Sequence, residues 1–186
     1  MTNIDVVLRE RSRCRSDRGS QGSGATLDRA KNEEVFMATL KGLVVPAGDG
    51  QLLKESSGQV TTMKLFGRET GQSVTLFEQA VPAGSKNSWL HLHRHSDEVA
   101  YVLEGEFTFK IGDDVTTGGP GACAFIPRNV PHAWKNSGRQ PGRVVFFFTP
   151  ASAGRFIEEM IGQPKEGELK KRLEESGWEV LGPNPL

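Results

Sequence analysis

The chain has 186 residues, 36% of them hydrophobic, and its 23 basic and 23 acidic side chains cancel. That size fits one domain with appendages, and the balanced charge excludes a summed attraction to nucleic acid or to an acidic surface. No run reaches the roughly 18 to 20 apolar residues of a membrane span, no apolar signal region opens the chain, and two cysteines, Cys14 and Cys123, are too few for a disulfide framework, so a cytoplasmic protein is expected.

Residues 1–36 are polar and rich in Arg, Ser and Gly, with the linker-like SDRGSQGSG over 16–24, and read as a disordered tail. Arg9, Arg11, Arg13, Arg15 and Arg18 are interrupted by Asp5, Glu10 and Asp17 and carry no apolar stripe, so the tail is expected to be solvated rather than a targeting peptide or nucleic-acid arm. A short helix is weakly marked from Asp28 to Met37. Folded-domain text begins at Met37, which is therefore the expected true start of translation; native peptides upstream of it would refute that.

Strand and turn signals then alternate. LVVP (43–46) and QVTTMKLF (59–66) are β-branched and apolar between glycine breaks. Residues 72–81 alternate loosely, as a strand buried on both faces would. After a loop to Ser88, Trp89, His91 and His93 share a strand face. EVAYVLEGEFTFKI (98–111) reads as two strands joined at Glu104–Gly105, and VTTGGPGACAFIP (115–127) as two more about a glycine turn, with Cys123 as a small buried residue. Residues 143–149, RVVFFFT, predict a strand covered on both sides. Many short strands without intervening helices predict an all-β sandwich or barrel. Beyond Pro150, Ser152 is positioned to cap a helix with Phe156, Ile157, Met160 and Ile161 on one stripe, stopped by Gly162 and Pro164. A second helix is predicted from Glu166 to Ser176, with Leu169 and Leu173 on one face and Lys171–Glu175 among its ion pairs. The expected organisation is a tail over 1–36, a barrel over 37–150 and a helical extension over 151–186.

The chemistry concentrates in HLHRHSDEVAYVLEG, residues 91–105. On a strand, His91 and His93 point the same way about 7 Å apart, and Glu98 arrives on the next strand, which Gly105 ends in a turn. Two nitrogens and an oxygen converging on one point read as a metal site. The second stretch, GACAFIPRNVPHAWKN (121–136), offers His132 as a fourth ligand. His95 shares the parity of His91 and His93, leaving His93–His95 as an alternative pair.

Together the two stretches resemble the paired motifs of the cupin superfamily. The first family motif is matched by His91, His93, Glu98 and Gly105, with Gly84 one residue further upstream than usual. The second is matched by Gly121, Pro127, His132 and Asn136, with Asn129 where Gly is usual; Asn tolerates positive φ better than most residues. FGRETGQSVTLFEQAVPAG, YVLEGEFTF and FFTPASAGRFIEEM are similar to small single-domain cupins described as quercetin 2,3-dioxygenase-like, and LKKRLEESGWEVLGPNP resembles their tail. The resemblance implies a cupin jelly-roll β-barrel with short C-terminal helices, a homodimer, and a metal in the barrel mouth held by His91, His93, Glu98 and His132.

Three imidazoles and one carboxylate contain no thiolate, which excludes a structural Cys-type zinc site. Fe(II) or Mn(II) is favoured, with Ni(II) and Zn(II) open. Trp89, Trp134 and the phenylalanines of 72–81 and 143–149 are expected to line an apolar cavity, suiting a flat or hydrophobic substrate over a free sugar. The expected activity is a metal-dependent dioxygenase that takes O₂ and a small aromatic or enolic substrate, with Glu98 as the base. Metal-assisted isomerisation or decarboxylation, and ligand binding without turnover, are the alternatives.

Overall fold

The computed structural model describes residues 40–161 and 169–186. The expected tail, the helix over 28–37, Met37 and the stop at Gly162 and Pro164 lie outside the described residues. Among the described residues eleven strands run in chain order: β1 Gln51–Lys54, β2 Val60–Leu65, β3 Thr75–Val81, β4 Trp89–His93, β5 Asp97–Glu104, β6 Phe107–Ile111, β7 Asp114–Gly118, β8 Cys123–Ile126, β9 His132–Asn136, β10 Gly142–Thr149 and β11 Trp178–Pro183. Helices α1, Gly154–Ile161, and α2, Leu169–Glu175, precede β11. Among the described residues no helix is long and apolar enough to cross a membrane.

The strands form two facing sheets, a six-stranded one in the order β1-β2-β3-β10-β5-β8 and a five-stranded one in the order β11-β4-β9-β6-β7. Alternation explains the core between them, because every second side chain of a strand faces the opposite sheet. Phe77, Phe107, Val144, Phe146 and Phe148 are buried there. Each such side chain contributes about 1.5–3 kcal/mol over its exposed state. Gly105 turns the chain between β5 and β6 at a φ of 84°. A Cβ there would come within 2.8 Å of the Gly142 Cα, so glycine is required both for the turn and for the approach of β10. Asn129 does adopt a left-handed φ of 65°, in keeping with its replacing glycine.

Several local expectations are corrected. Leu43–Pro46 forms no strand: Val44 is 89% exposed, and the segment runs into a turn in which Asp49 N donates to Pro46 O. β3 and β10 are covered on one face only. Their inner residues are buried, whereas Glu78 and Arg143 on the outer face form an ion pair at 2.9 Å. Cys123 is exposed, because the inward residues of β8 are Ala124 and Ile126. Ser152 does not cap α1. It lies in a 3-10 turn over Ala151–Ala153 whose N-cap is Pro150, and its hydroxyl meets Ser96 Oγ at 2.8 Å. Strand β11 is absent from the sequence-based expectations altogether.

Candidate metal centre

The two sheets bring the four side chains together from opposite sides of the core. β4 supplies His91 and His93, and β9 lies beside it with His132 opposite His91. Glu98 comes from β5 in the other sheet, level with Phe148 of β10. All four are buried, and one ligand atom from each lies within 4.8 Å of the others. Glu98 Oε2 is 2.9 Å from His93 Nε2 and 2.9 Å from His132 Nε2. His95, the alternative ligand, is exposed beyond the end of β4 and outside the cluster.

Two of the rings are held by main-chain carbonyls. His91 Nδ1 is 3.1 Å from Trp89 O and His132 Nδ1 is 2.9 Å from Val130 O. A ring N–H donated to a carbonyl leaves the other nitrogen's lone pair free, the tautomer a metal needs. His93 Nδ1 is buried without a protein partner among the described residues, so packing and the contact of its Nε2 with Glu98, rather than a carbonyl, orient that ring. Burial, then the facing His132 and His93, lowers the His91 imidazole to about 3. Burial also holds His93 below its ordinary range against the pull of Glu98. Burial pushes the Glu98 carboxyl up, but His132 and His93 outweigh it and hold the group well below the usual carboxylate range. His132 is raised, Glu98 overcoming the burial that opposes it. The set therefore combines an anionic carboxylate with two imidazoles, His91 and His93, pushed toward the neutral form and a third, His132, whose extra proton a bound metal would displace. This donor chemistry fits a divalent transition metal.

Trp178 completes the surroundings. β11 pairs with β4, Trp178 opposite His93, and its indole stacks on His91 with centroids 4.6 Å apart and planes 5° apart. It also meets the His93 ring edge-on at 4.3 Å, while its Nε1–H donates to Ala153 O at 2.9 Å. The glycine break at Gly177 followed by WEV was the available signal for this strand, but six residues beside a helix carry little periodicity. Trp178→Ala is expected to weaken metal binding about tenfold, as loss of an orienting partner does, with Trp178→Phe restoring most of it. Competition against a chelator measures both.

Above the cluster lies a cavity of about 450 Å³. As expected, Trp89, Trp134, Phe77, Phe146 and Phe148 line it; Phe156, Ile157, Met160 and Trp178 close it from the C-terminal side. Of the four cluster residues, His91 and Glu98 reach the cavity wall. The opposite wall departs from the apolar expectation: Glu55, Ser57, Gln59, Thr61 and Gln79 make it polar. Asn136 serves the fold instead, its amide donating to the carbonyls of Val81, Pro82 and Gln140.

Residues 77–148 match the family model described as the cupin domain. The fold is that of a cupin. A cupin of the RmlC-like kind from Shewanella frigidimarina NCIMB 400 superposes with a TM-score of 0.51 at 20% identity, covering 60% of this chain and 93% of that one. A predicted oxalate decarboxylase from Thermotoga maritima gives 0.52 at 18% identity over 58% and 99% of the two chains. At these identities the likeness establishes the cupin fold alone. In sequence, an uncharacterized protein of Methanocaldococcus jannaschii is 33% identical over 75 residues, 40% of this chain. The chain spans 59% of the length of that curated relative.

Proposed function

We propose that this cupin is a metal-dependent oxygenase of the quercetin dioxygenase-like type, acting on a small aromatic or enolic substrate. His91, His93, Glu98 and His132 would hold one divalent ion, Fe(II) or Mn(II) by preference. The observation that carries the reading is the junction of the buried three-histidine, one-glutamate cluster with an aromatic cavity, through His91 and Glu98. When bound, the metal would supply Lewis-acid activation of a substrate oxygen and redox contact with O₂.

The chain's own residues do the rest. Phe77, Trp134, Phe146 and Phe148 exclude water and orient a flat ring by stacking. His91 and His132, each tied to a carbonyl, and His93, wedged between Phe148 and Trp178, keep their rings in place. Glu98 offers a carboxylate at the cavity wall to take the proton of a substrate hydroxyl or enol, leaving an electron-rich carbon for attack by O₂.

The test is oxygen uptake by iron-loaded or manganese-loaded protein with a flavonol or a catechol. Uptake that chelation abolishes, with both atoms of labelled O₂ in the product, is expected. Conversion without oxygen would replace this reading with isomerisation or decarboxylation, and tight binding without turnover would make the barrel a binding module.

A further inference from the structure

The polar wall of the cavity lies remote from the histidine cluster. Along β10, Phe148 sits opposite Glu98, Phe146 opposite Phe77 and Val144 opposite Gln79. Those two inward steps span four residues, about 13 Å at strand rise. Beside Gln79, β2 places Thr61 in register, and Gln59 precedes Thr61 by one inward step. Gln59 is 4% exposed and Gln79 8% exposed, and both line the cavity.

Their hydrogen bonds are half made. Gln79 Nε2 donates to Thr61 Oγ1 at 2.9 Å. Gln59 Nε2 donates to Glu55 Oε2 at 3.2 Å and to Ser57 Oγ at 3.4 Å. The Oε1 atoms of both glutamines are buried and receive no protein donor among the described residues. For Gln59 the orientation follows from chemistry whenever Glu55 is ionised, because a carboxylate only accepts and so draws the amide N–H₂ to itself; burial raises the Glu55 carboxyl above its ordinary value, against the hydrogen bonds from Gln59 and Ser57. Buried acceptors are nearly always paired in native proteins, and here two without a protein donor belong to side chains that line one cavity wall, where a small turn of either amide would present its oxygen to a ligand hydroxyl.

We infer that Gln59 and Gln79 select the substrate by accepting hydrogen bonds from hydroxyl groups at its end remote from the histidine cluster. This rests on the reading of the cluster as the reacting end. The ligand is then elongated, long enough to reach between Glu98 and Gln79, whose levels on β10 are roughly 13 Å apart along the strand and which flank β10 on opposite sides. It is flat and apolar in its middle, where Phe77, Trp134 and Phe146 lie, and carries hydroxyl donors at its far end. A carboxylate there is disfavoured, since it would meet two amide oxygens and Glu55 with no cation among the described residues of that wall, and a hydrocarbon end would leave both acceptors unpaired.

Quercetin and the parent flavonol, which lacks quercetin's outer-ring hydroxyls, are the probes. They are titrated without oxygen into zinc-loaded protein, with quenching of the cavity tryptophans as readout. Wild type is expected to bind quercetin about tenfold more tightly, the worth of one or two neutral hydrogen bonds. Gln59→Met and Gln79→Met, which keep side-chain length, should each bring that ratio toward one while holding the parent flavonol within about twofold of wild type. Using the ratio within each variant removes any loss of folded protein. An unchanged ratio in both variants, or binding of neither probe, overturns the assignment. A collapsed ratio in a protein that consumes no oxygen would support it and overturn the oxygenase reading alone.

Discussion

Glu98→Gln is expected to retain part of the metal and to lose about 10² to 10⁴ in turnover per bound metal ion, the usual worth of a general base. The carboxylate is 3% exposed and its Oε2 is shared between the Nε2 atoms of His93 and His132 at 2.9 Å each. Glutamine keeps the volume and one oxygen donor, but it removes the charge and nearly all the basicity. Three imidazoles remain for the metal. A ligand that binds through its anion is a poor base while bound, so the proton-accepting role requires one carboxylate oxygen to face the substrate, as the position of Glu98 on the cavity wall allows. Metal content and turnover measured on the same sample separate the two roles. Full turnover per metal would reduce Glu98 to a ligand and move the proton transfer elsewhere.

His132→Ala should lower metal affinity by more than about 100-fold, beyond what loss of an outer partner costs. His132 is the contribution of the second motif, held by the β9 register against β4 and by its contact with Val130 O. Alanine removes a donor that no neighbour among the described residues can replace: His95, the nearest other histidine in sequence, is exposed beyond β4. His95→Ala is accordingly expected to keep wild-type metal content. Metal analysis of the two variants, purified in parallel, checks the pair. Loss of metal from His95→Ala with retention in His132→Ala would overturn the ligand set.

Much of the site was legible because its parts are local. The spacing of two on one strand puts His91 and His93 on a shared face whatever the rest of the chain does, and Gly105 at the end of the first stretch and Asn129 within the second mark positive-φ turns. Trp178 was not legible in this way, although it stacks directly on His91, since a six-residue strand after a helix has almost no period of its own. Cys123 was misplaced for a related reason. On an edge strand of four residues, either parity satisfies the pattern, and only pairing with β5 decides that Ala124 and Ile126 face inward.

The far wall of the cavity shows where local reading stops. Gln59, Thr61 and Gln79 stand out in sequence only as polar positions among apolar ones, Gln79 in a strand expected to be buried on both faces, and the apolar text around them predicts a greasy pocket. The pairing of β2 with β3 turns those three side chains inward together, and Glu55 then orients one amide. By itself the sequence determined the all-β class, the shared strand face of His91 and His93, and the residue types able to bind a metal, because strand period and turn chemistry act over a few neighbouring residues. Only the tertiary structure decided which sheet each residue joins, that β11 closes over the histidines, and which polar atoms are buried without partners. Those outcomes depend on contacts between segments far apart in the chain, which no local period encodes.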